Sequence, residues 1–378
     1  MLGLSSSHFD VVDGAHSAAS KCHRVVVSKR NHIEGSRPWA RLARLVSILR
    51  SRYSKCGVDV AGSVVIRKRV SRAKLLEYFG GLPRCLVGIE ACPSAHHWGR
   101  ELQALGHRVR LIAPSYVKAY LKRSKNDAND AAAICEAVTR PSMRFVPIKT
   151  KEQQTVLMLH RTRQLLVRQR TMLSNALRGH LAELGIVSAK GRNGTAELLR
   201  IIADRRLSPA VCGILEVLAR QYGAIGTEIA SIDKNIMVLH RACEASRRLA
   251  EIPGIGPISA TALVAEIGDW KAFGSGRSLA AWIGLVPKQY TTGGKDKLGR
   301  ITKQGNRYLR WLLVVGAMAV IRYARNHGTE KRPWLGRLME RRPTKVAAVA
   351  LANKIARMAW AIMVRDERYK EPKPLLAA

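Results

Sequence analysis

An α/β domain followed by an all-α region is the fold class that this sequence predicts, on three observations. Short apolar, β-rich runs alternate with helix-like segments between residues 57 and 147. Leucines and isoleucines recur at steps of three, four and seven between residues 148 and 247. Beyond 248 the apolar residues gather in Ala-rich stretches separated by Gly-containing turns, a helical pattern.

Residues 1–56 carry no convincing period and stay unassigned, as a disordered or aberrant start. A leader rich in Ser and Arg is one form of transit peptide, but Asp10, Asp13 and Glu34 dilute that signal. From Gly57 the elements sharpen. Val64-Val65-Ile66 reads as a strand, Ser71 to Phe79 as a helix, Cys85 to Glu90 as a strand and Ala95 to Leu105 as a helix closed by Gly106. Val109 to Ala113 gives another strand, and the Ala-rich run Asp127 to Val138 another helix. Strands alternating with helices predict an α/β unit over 57–147 with parallel pairing.

Two long helices follow over 148–247. Leu159, Leu166, Leu173, Leu177 and Leu184 form one seam. After a break at 188–194, Ile214, Leu218, Ile225, Ile229, Ile232, Ile236 and Leu239 form a second. This coiled-coil-like spacing suits an antiparallel helical hairpin or a dimerisation element. The last domain, 248–366, opens on Ile252-Pro253-Gly254-Ile255-Gly256-Pro257 and a helix from Ile258 to Glu266. It passes through the Gly-rich Thr291-Thr292-Gly293-Gly294, then an apolar helix to about Arg322, and closes with the amphipathic Thr344 to Val364. Residues 367–378 are a tail.

Composition narrows the partners. Among 378 residues, 65 are Lys or Arg and 27 are Asp or Glu, a formal net charge of +38. Such an excess repels itself in a compact chain unless a polyanion neutralises it, and nucleic acid is the usual one. No stretch reaches the roughly 18 uncharged apolar residues of a spanning helix, and no secretory signal opens the chain. The expected setting is the cytoplasm, with no membrane partner. Seven cysteines without a CxxC pair suit a reducing compartment. Cys92 with His96 and His97 lacks a second ligand pair of zinc-finger spacing.

Against that basic background the carboxylates stand out. Glu90 ends an apolar strand, where α/β sheets gather functional groups. Asp127 and Asp130 stand three apart at the start of a helix and share a face. Together the three could hold Mg²⁺, which takes a few hard oxygen ligands. The alternative is that Asp127 caps the helix and Asp130 complements its dipole. The Pro253-to-Gly256 turn, a helix-hairpin-helix-like connection, could let the backbone at Gly254 and Gly256 approach a phosphate, or could simply join two helices. Arg300, Lys303, Arg307 and Arg310 recur at three or four and, if helical, form a basic stripe for nucleic acid.

The ordered motifs Val87-Gly88-Ile89-Glu90-Ala91, Lys125-Asn126-Asp127-Ala128-Asn129-Asp130-Ala131, Ile252-Pro253-Gly254-Ile255-Gly256 and Gly284-Leu285-Val286-Pro287 with the stretch Gly293 to Arg310 resemble transposases of the insertion-sequence one-ten family, eleven-eleven subgroup. The similarity covers roughly residues 57 to 365. It implies an RNase-H-like N-terminal domain with an Asp-Glu-Asp-Asp Mg²⁺ site, a coiled coil, and a C-terminal domain supplying a nucleophilic Ser. It also implies DNA and a structured guide RNA as partners, and a homo-oligomer, dimer or tetramer. The family's Glu falls on Glu90, its last two Asp residues fall on Asp127 and Asp130, and its nucleophile falls on Thr292, beside Thr291.

The chain departs from that pattern twice. The family's first Asp falls near Ser47, where no Asp stands, and Asp59, in a similar Gly57-Val58-Asp59 context, reads better as a turn residue. Thr replaces the nucleophilic Ser, and its extra methyl restricts rotamers and crowds in-line attack. The expected function is a metal-dependent transposase or site-specific DNA recombinase. The alternative is an impaired remnant that only binds DNA or RNA, and a third reading is a junction nuclease using the metal site alone.

Overall fold

The computed structural model describes residues 44–48, 53–58, 64–121, 127–205, 207–330 and 332–371. Two compact units divide at Thr150 and Lys151. The chain is mostly helical with a small sheet, all six strands of which belong to the first unit.

That sheet begins with β1 (Arg44–Ile48), β2 (Tyr53–Val58) and β3 (Val64–Val70). The first two lie largely within the stretch that the sequence left unassigned, because mixed Arg, Ser and Leu residues hide the period-two pattern. After α1 (Leu75–Gly80) come β4 (Leu86–Glu90), α2 (Ala95–Ala104), β5 (Arg108–Ile112), the short α3 (Pro114–Val117), α4 (Asp127–Ala137) and β6 (Phe145–Val146). The spatial order is β3-β2-β1-β4-β5-β6. The expected parallel pairing holds for β1, β4 and β5 only; β2 and β3 form an antiparallel meander with β1, and β6 runs antiparallel to β5. The reason is loop length. Only residues 49–52 separate β1 from β2 and only 59–63 separate β2 from β3, too few for the crossover that parallel neighbours need, whereas α1 and α2 lie within crossovers long enough for parallel strands.

β4 is buried on both faces, so it reads as a continuous apolar run. Val87 and Ile89 pack with Leu75, Phe79, Trp98 and Leu102 of α1 and α2. On the other face Gly88 lies against Ile134 and Val138, and a Cβ there would sit 3.1 Å from both side chains. His107 fixes the end of α1 to the start of β4. Its Nδ1 accepts from the Cys85 N–H at 3.3 Å, and its Nε2 lies 3.1 Å from the Phe79 carbonyl.

The second unit starts with α5 (Lys151–Ala182), α6 (Arg192–Ala203) and α7 (Pro209–Ala242). α5 and α7 are antiparallel. Arg163 grips Asp233 through Nε and a terminal nitrogen at 2.5 and 3.3 Å, while Leu177 and Leu181 pack with Leu215 at the other end. α6, which sequence periodicity did not reveal, closes that end with Leu198 and Ile202. The seams are partly as expected. Leu177, Ile229, Ile232 and Ile236 are buried, but Leu184, Ile214 and Leu239 are exposed: Leu184 follows the last turn of α5, and near Ile214 it is Leu215 that turns toward α6.

Six helices and a hairpin complete the unit: α8 (Glu244–Ala250), α9 (Pro257–Ile267), α10 (Gly276–Ile283), strands β7 (Pro287–Gln289) and β8 (Leu298–Ile301), α11 (Arg307–His327), α12 (Pro333–Arg341) and α13 (Thr344–Arg365). α13 is long and apolar enough to cross a membrane by length and composition. Here it is a core helix, with Ala348, Leu351, Ala352, Ile355, Ala356 and Ala359 buried against its neighbours.

A buried polar chain ties α5, α9 and α11. The Thr261 hydroxyl donates to the Pro257 carbonyl at 2.8 Å, so it accepts from His160 Nε2 at 3.0 Å, and Nδ1 accepts from the Tyr308 hydroxyl at 3.1 Å. Burial, then the nearby Arg163 charge, pushes the His160 pKa down from 6.5 to about 4, against a smaller opposite pull from Glu266. A lowered folded-state pKa means that the unfolded chain binds the extra proton more readily. This stabilisation is therefore complete above pH 6.5 and fades as pH falls from 6.5 through about 4, by about 3 kcal/mol in all. Denaturation midpoints of wild type and His160→Gln between pH 7.5 and 4 should converge; parallel curves would remove the assignment.

Candidate functional site

The three carboxylates belong to the first unit. Glu90 is the last residue of β4, half-buried, and pairs in register with Ile112. The Ala91 N–H donates to the Ile112 carbonyl at 2.8 Å and holds the strand end in place. α4 lies on β1, β2 and β4 through the face that carries Ile134 and Val138. Asp130 is half-buried four residues before Ile134, so it belongs to the same face, nearer the helix start. Asp127 is the first residue of α4, and its side chain lies outside the described residues. Among the described residues no group of three His, Cys, Asp or Glu side chains could hold a metal ion. A carboxylate triad therefore needs Asp127. The donor set of Glu90, Asp127 and Asp130 is all hard oxygen, which fits Mg²⁺.

Ser47 stands on β1 opposite Ile89, one residue short of Glu90 in register. Asp59 lies outside the described residues. Cys92, His96 and His97 have separate roles: the Cys92 thiol contacts the Pro93 carbonyl, His96 Nδ1 accepts from the Lys149 N–H at 3.2 Å, and His97 lies 3.6 Å from Glu101.

Thr292 belongs to the second unit, at the tip of the β7–β8 hairpin. Gly293 and Gly294 both have positive φ, 58° and 75°, and the Lys295 N–H donates to the Thr292 carbonyl at 3.2 Å. Two consecutive left-handed residues make a type I′ turn, which only Gly and a few others accept. Thr291 donates to Asp296 at 2.9 Å across the loop, and Thr292 is exposed. Tyr290 covers Gly299, where a Cβ would meet its ring at 2.7 Å.

The basic stripe is not helical. Arg300 lies on β8, Lys303 in a loop with φ 56°, and only Arg307 and Arg310 are on α11. The spacing misled because Gly305, at φ 74°, turns the chain and Asn306 then caps α11, its side chain accepting from the Tyr308 and Leu309 N–H groups at 2.9 and 3.0 Å. Arg300, Lys303 and Arg307 are exposed. Arg310 is partly withdrawn: it donates to the Ile283 and Gln304 carbonyls at 2.7 and 2.9 Å. Burial, then Arg307, lowers its pKa.

The turn at Pro253 joins α8 to α9 and is seated in the core. Gly254 has φ 95°, and a Cβ there would meet Ile355 at 2.8 Å; a Cβ on Gly316 of α11 would meet the Gly254 carbonyl at 1.8 Å. Gly254 is thus required by helix packing. Gly256 differs, being exposed, at φ −95°, with nothing within 4 Å of a Cβ. Gly256→Ala should leave the fold intact. If the turn grips phosphate through its backbone, the substitution lowers DNA affinity in a binding titration; unchanged affinity would reduce the turn to a helix connection.

Sequence reasoning missed a second set of cations, Arg277, Lys345, Lys354 and Arg357, with Trp334 near them. The four cations come from two helices, α10 and α13, with Trp334 on a third, α12, and their one signal was that Lys345, Lys354 and Arg357 interrupt the apolar run of α13.

Residues 246–331 match the family described as Transposase IS116/IS110/IS902, and residues 53–186 match a DEDD transposase family. The y4pF/y4sB protein of Sinorhizobium fredii is 42% identical over 371 residues, covering 97% of this chain and 95% of that protein, a span that includes most of residues 1–56. The "probable family 20 transposase" of Pseudomonas aeruginosa is 47% identical over 318 residues, 83% of this chain and 94% of its own length. The transposase for insertion sequence element IS1111A of Coxiella burnetii is 40% identical over 328 residues, 86% of this chain and 90% of its own. With identities and coverage of this size, the chain belongs to the IS110/IS116 family of insertion-sequence transposases.

Proposed function

We propose that this transposase joins DNA strands through a covalent protein–DNA step, with Thr292 as the attacking hydroxyl and Glu90, Asp127 and Asp130 as Mg²⁺ ligands. The observation that carries the proposal is the presentation of Thr292 on an exposed glycine turn, where a hydroxyl can reach a phosphodiester. The Thr292 oxygen forms a bond to phosphorus while a phosphorus–sugar oxygen bond breaks, and the threonine proton passes to the departing sugar oxygen. Attack by the freed sugar hydroxyl of another strand reverses the linkage and releases Thr292. Held by Glu90, Asp127 and Asp130, Mg²⁺ would supply charge stabilisation to a phosphodiester. Arg300, Lys303 and Arg307 neutralise backbone phosphates and make affinity salt-dependent.

The meander β1–β2–β3 continued by parallel β4 and β5, with Glu90 at a strand end, supports an RNase-H-like reading of the first unit. The α5–α7 pair with exposed Met158, Leu165 and Met172 at steps of seven supports a homo-oligomer, and the charge of +38 leaves room for a structured guide RNA beside DNA. Purified protein with Mg²⁺, cognate RNA and DNA should yield a joined product that depends on Glu90 and Asp127; no product overturns the catalytic reading.

One observation favours a second reading, a binding-only remnant. Ser47 stands on β1 opposite Ile89, and the resemblance puts the family's first Asp near it. Ser47→Asp with Thr292→Ser separates the two. Activity in the repaired protein alone supports the remnant; activity in both supports the enzyme. Cleavage that survives Thr292→Ala would instead point to a nuclease.

A further inference from the structure

α13 turns one side to the core and leaves the other to a groove of about 1760 Å³. Its walls are the start of α10, the foot of the β7–β8 hairpin and Trp334 near the start of α12. Small-molecule pockets measure about 300–1,000 Å³, so the space suits a polymer.

The groove combines two chemistries. Six cations line it: Arg277, Arg300, Lys303, Lys345, Lys354 and Arg357. None of the described lining residues is Asp or Glu, so this is a one-sign surface that a polyanion would neutralise. Between the cations lies an apolar floor of Leu285, Ile301, Val349, Ala350 and Met358. Trp334 is 37% exposed at the edge, with Lys354 Nζ 4.5 Å from its ring centroid. A duplex offers phosphates outward and hides its base faces, so the apolar floor would stay unused. An unpaired strand offers both, bases for the floor and the indole, phosphates for the cations.

The walls are set before any ligand arrives. A Cβ on Gly276 would lie 3.0 Å from the Arg357 Cα, so α10 and α13 touch through their backbones. Asn353 donates to the Leu285 carbonyl at 3.2 Å, and the Trp360 indole N–H donates to the Trp270 and Phe273 carbonyls at 3.2 and 3.0 Å. A rigid site avoids much of the ordering cost of binding. The hairpin whose foot forms one wall carries Thr292 at its tip.

We propose that this groove holds an unpaired stretch of the DNA strand on which the hairpin acts, with bases on the Trp334 edge and apolar floor and phosphates on Arg277, Lys345, Lys354 and Arg357. The choice of DNA rests on the function proposed above; the unpaired state rests on the groove itself.

The test uses the full chain, a fluorescent single-stranded oligodeoxynucleotide, the matching duplex and single-stranded RNA of the same sequence, followed by anisotropy across a salt titration. Wild type should favour the single DNA strand over the duplex. Lys354→Ala with Arg357→Ala should lower the single-strand salt slope by about 1.4, from about 0.7 per phosphate contact. Trp334→Ala should weaken binding about tenfold, Trp334→Phe should restore most of it, and thermal unfolding of each variant checks folding. Arg220→Ala, a charge lost from α7 outside the groove, should leave the preference unchanged. Preference for duplex, a slope indifferent to Lys354 and Arg357, or groove-dependent binding of RNA but not DNA would overturn the proposal. Strand joining is read separately: groove-dependent binding without joining leaves the groove standing and removes the catalytic reading, and joining with groove-independent binding does the reverse.

Discussion

Gly316→Val should destabilise the second unit by about 3 kcal/mol or more. The new Cβ would fall 1.8 Å from the Gly254 carbonyl oxygen, a separation that no rotamer relieves because the atom met is backbone. The Gly254 turn cannot back away. Ile252 and Ile255 flank it at 0% and 3% exposure, and Gly254 itself approaches Ile355 of α13. A more helix-prone residue inside α11 would by itself gain well under 1 kcal/mol, so steric conflict outweighs propensity. The check is a denaturant midpoint followed by tryptophan fluorescence. A large drop for Gly316→Val beside an unchanged Gly256→Ala is the expected pair; an unchanged or raised midpoint for Gly316→Val would mean that α11 and the turn do not touch.

Thr292→Ala should cost strand joining on the order of 10³-fold or more, as loss of a nucleophile does. The fold should not notice, since Thr292 is exposed and its backbone carbonyl alone serves the turn. Thr292→Ser keeps the hydroxyl and removes the methyl that restricts its rotamers, so it should match or exceed wild type. Joining assays on the three proteins with equal DNA affinity decide the point. Equal rates for Thr292→Ala and wild type would move the nucleophile elsewhere.

The legible parts of the fold were those where a local pattern and the tertiary environment agree. β4 is a short apolar run because the sheet buries both of its faces, β5 buries Val109, Leu111 and Ile112 but leaves Arg108 exposed, and α13 is Ala-rich because neighbouring helices need close approach. β1 and β2 stayed hidden because polar residues break up their apolar ones without a regular alternation, Arg44 and Ser47 around Leu45-Val46 in β1 and Ser54-Lys55 between Tyr53 and Cys56 in β2. The Arg300-to-Arg310 stretch shows the opposite failure, a helical period produced by chance across a strand, a loop and a cap, with Gly305 and Asn306 as the local signals against it. Gly254 was legible as special, but its cause lies in Gly316, 62 residues away, which no short motif records. The candidate site divided in the same way. Single residues near strand and helix ends, Glu90 and Asp130, could be named from the chain, whereas Thr292 is named by the family resemblance alone, since a Thr before two glycines reads by itself as a turn residue. The groove on α13 could not, since its cations come from segments that only folding brings together.

A hydroxyl on the β7–β8 hairpin that attacks DNA with help from carboxylate-held Mg²⁺ leaves one covalent bond as its trace. Protein incubated with Mg²⁺, cognate RNA and end-labelled DNA, quenched and digested, should yield a peptide–nucleotide adduct whose modified residue is Thr292, lost in Thr292→Ala and in Glu90→Gln. An adduct on another residue, or joined DNA formed with no protein linkage at any time, would contradict it.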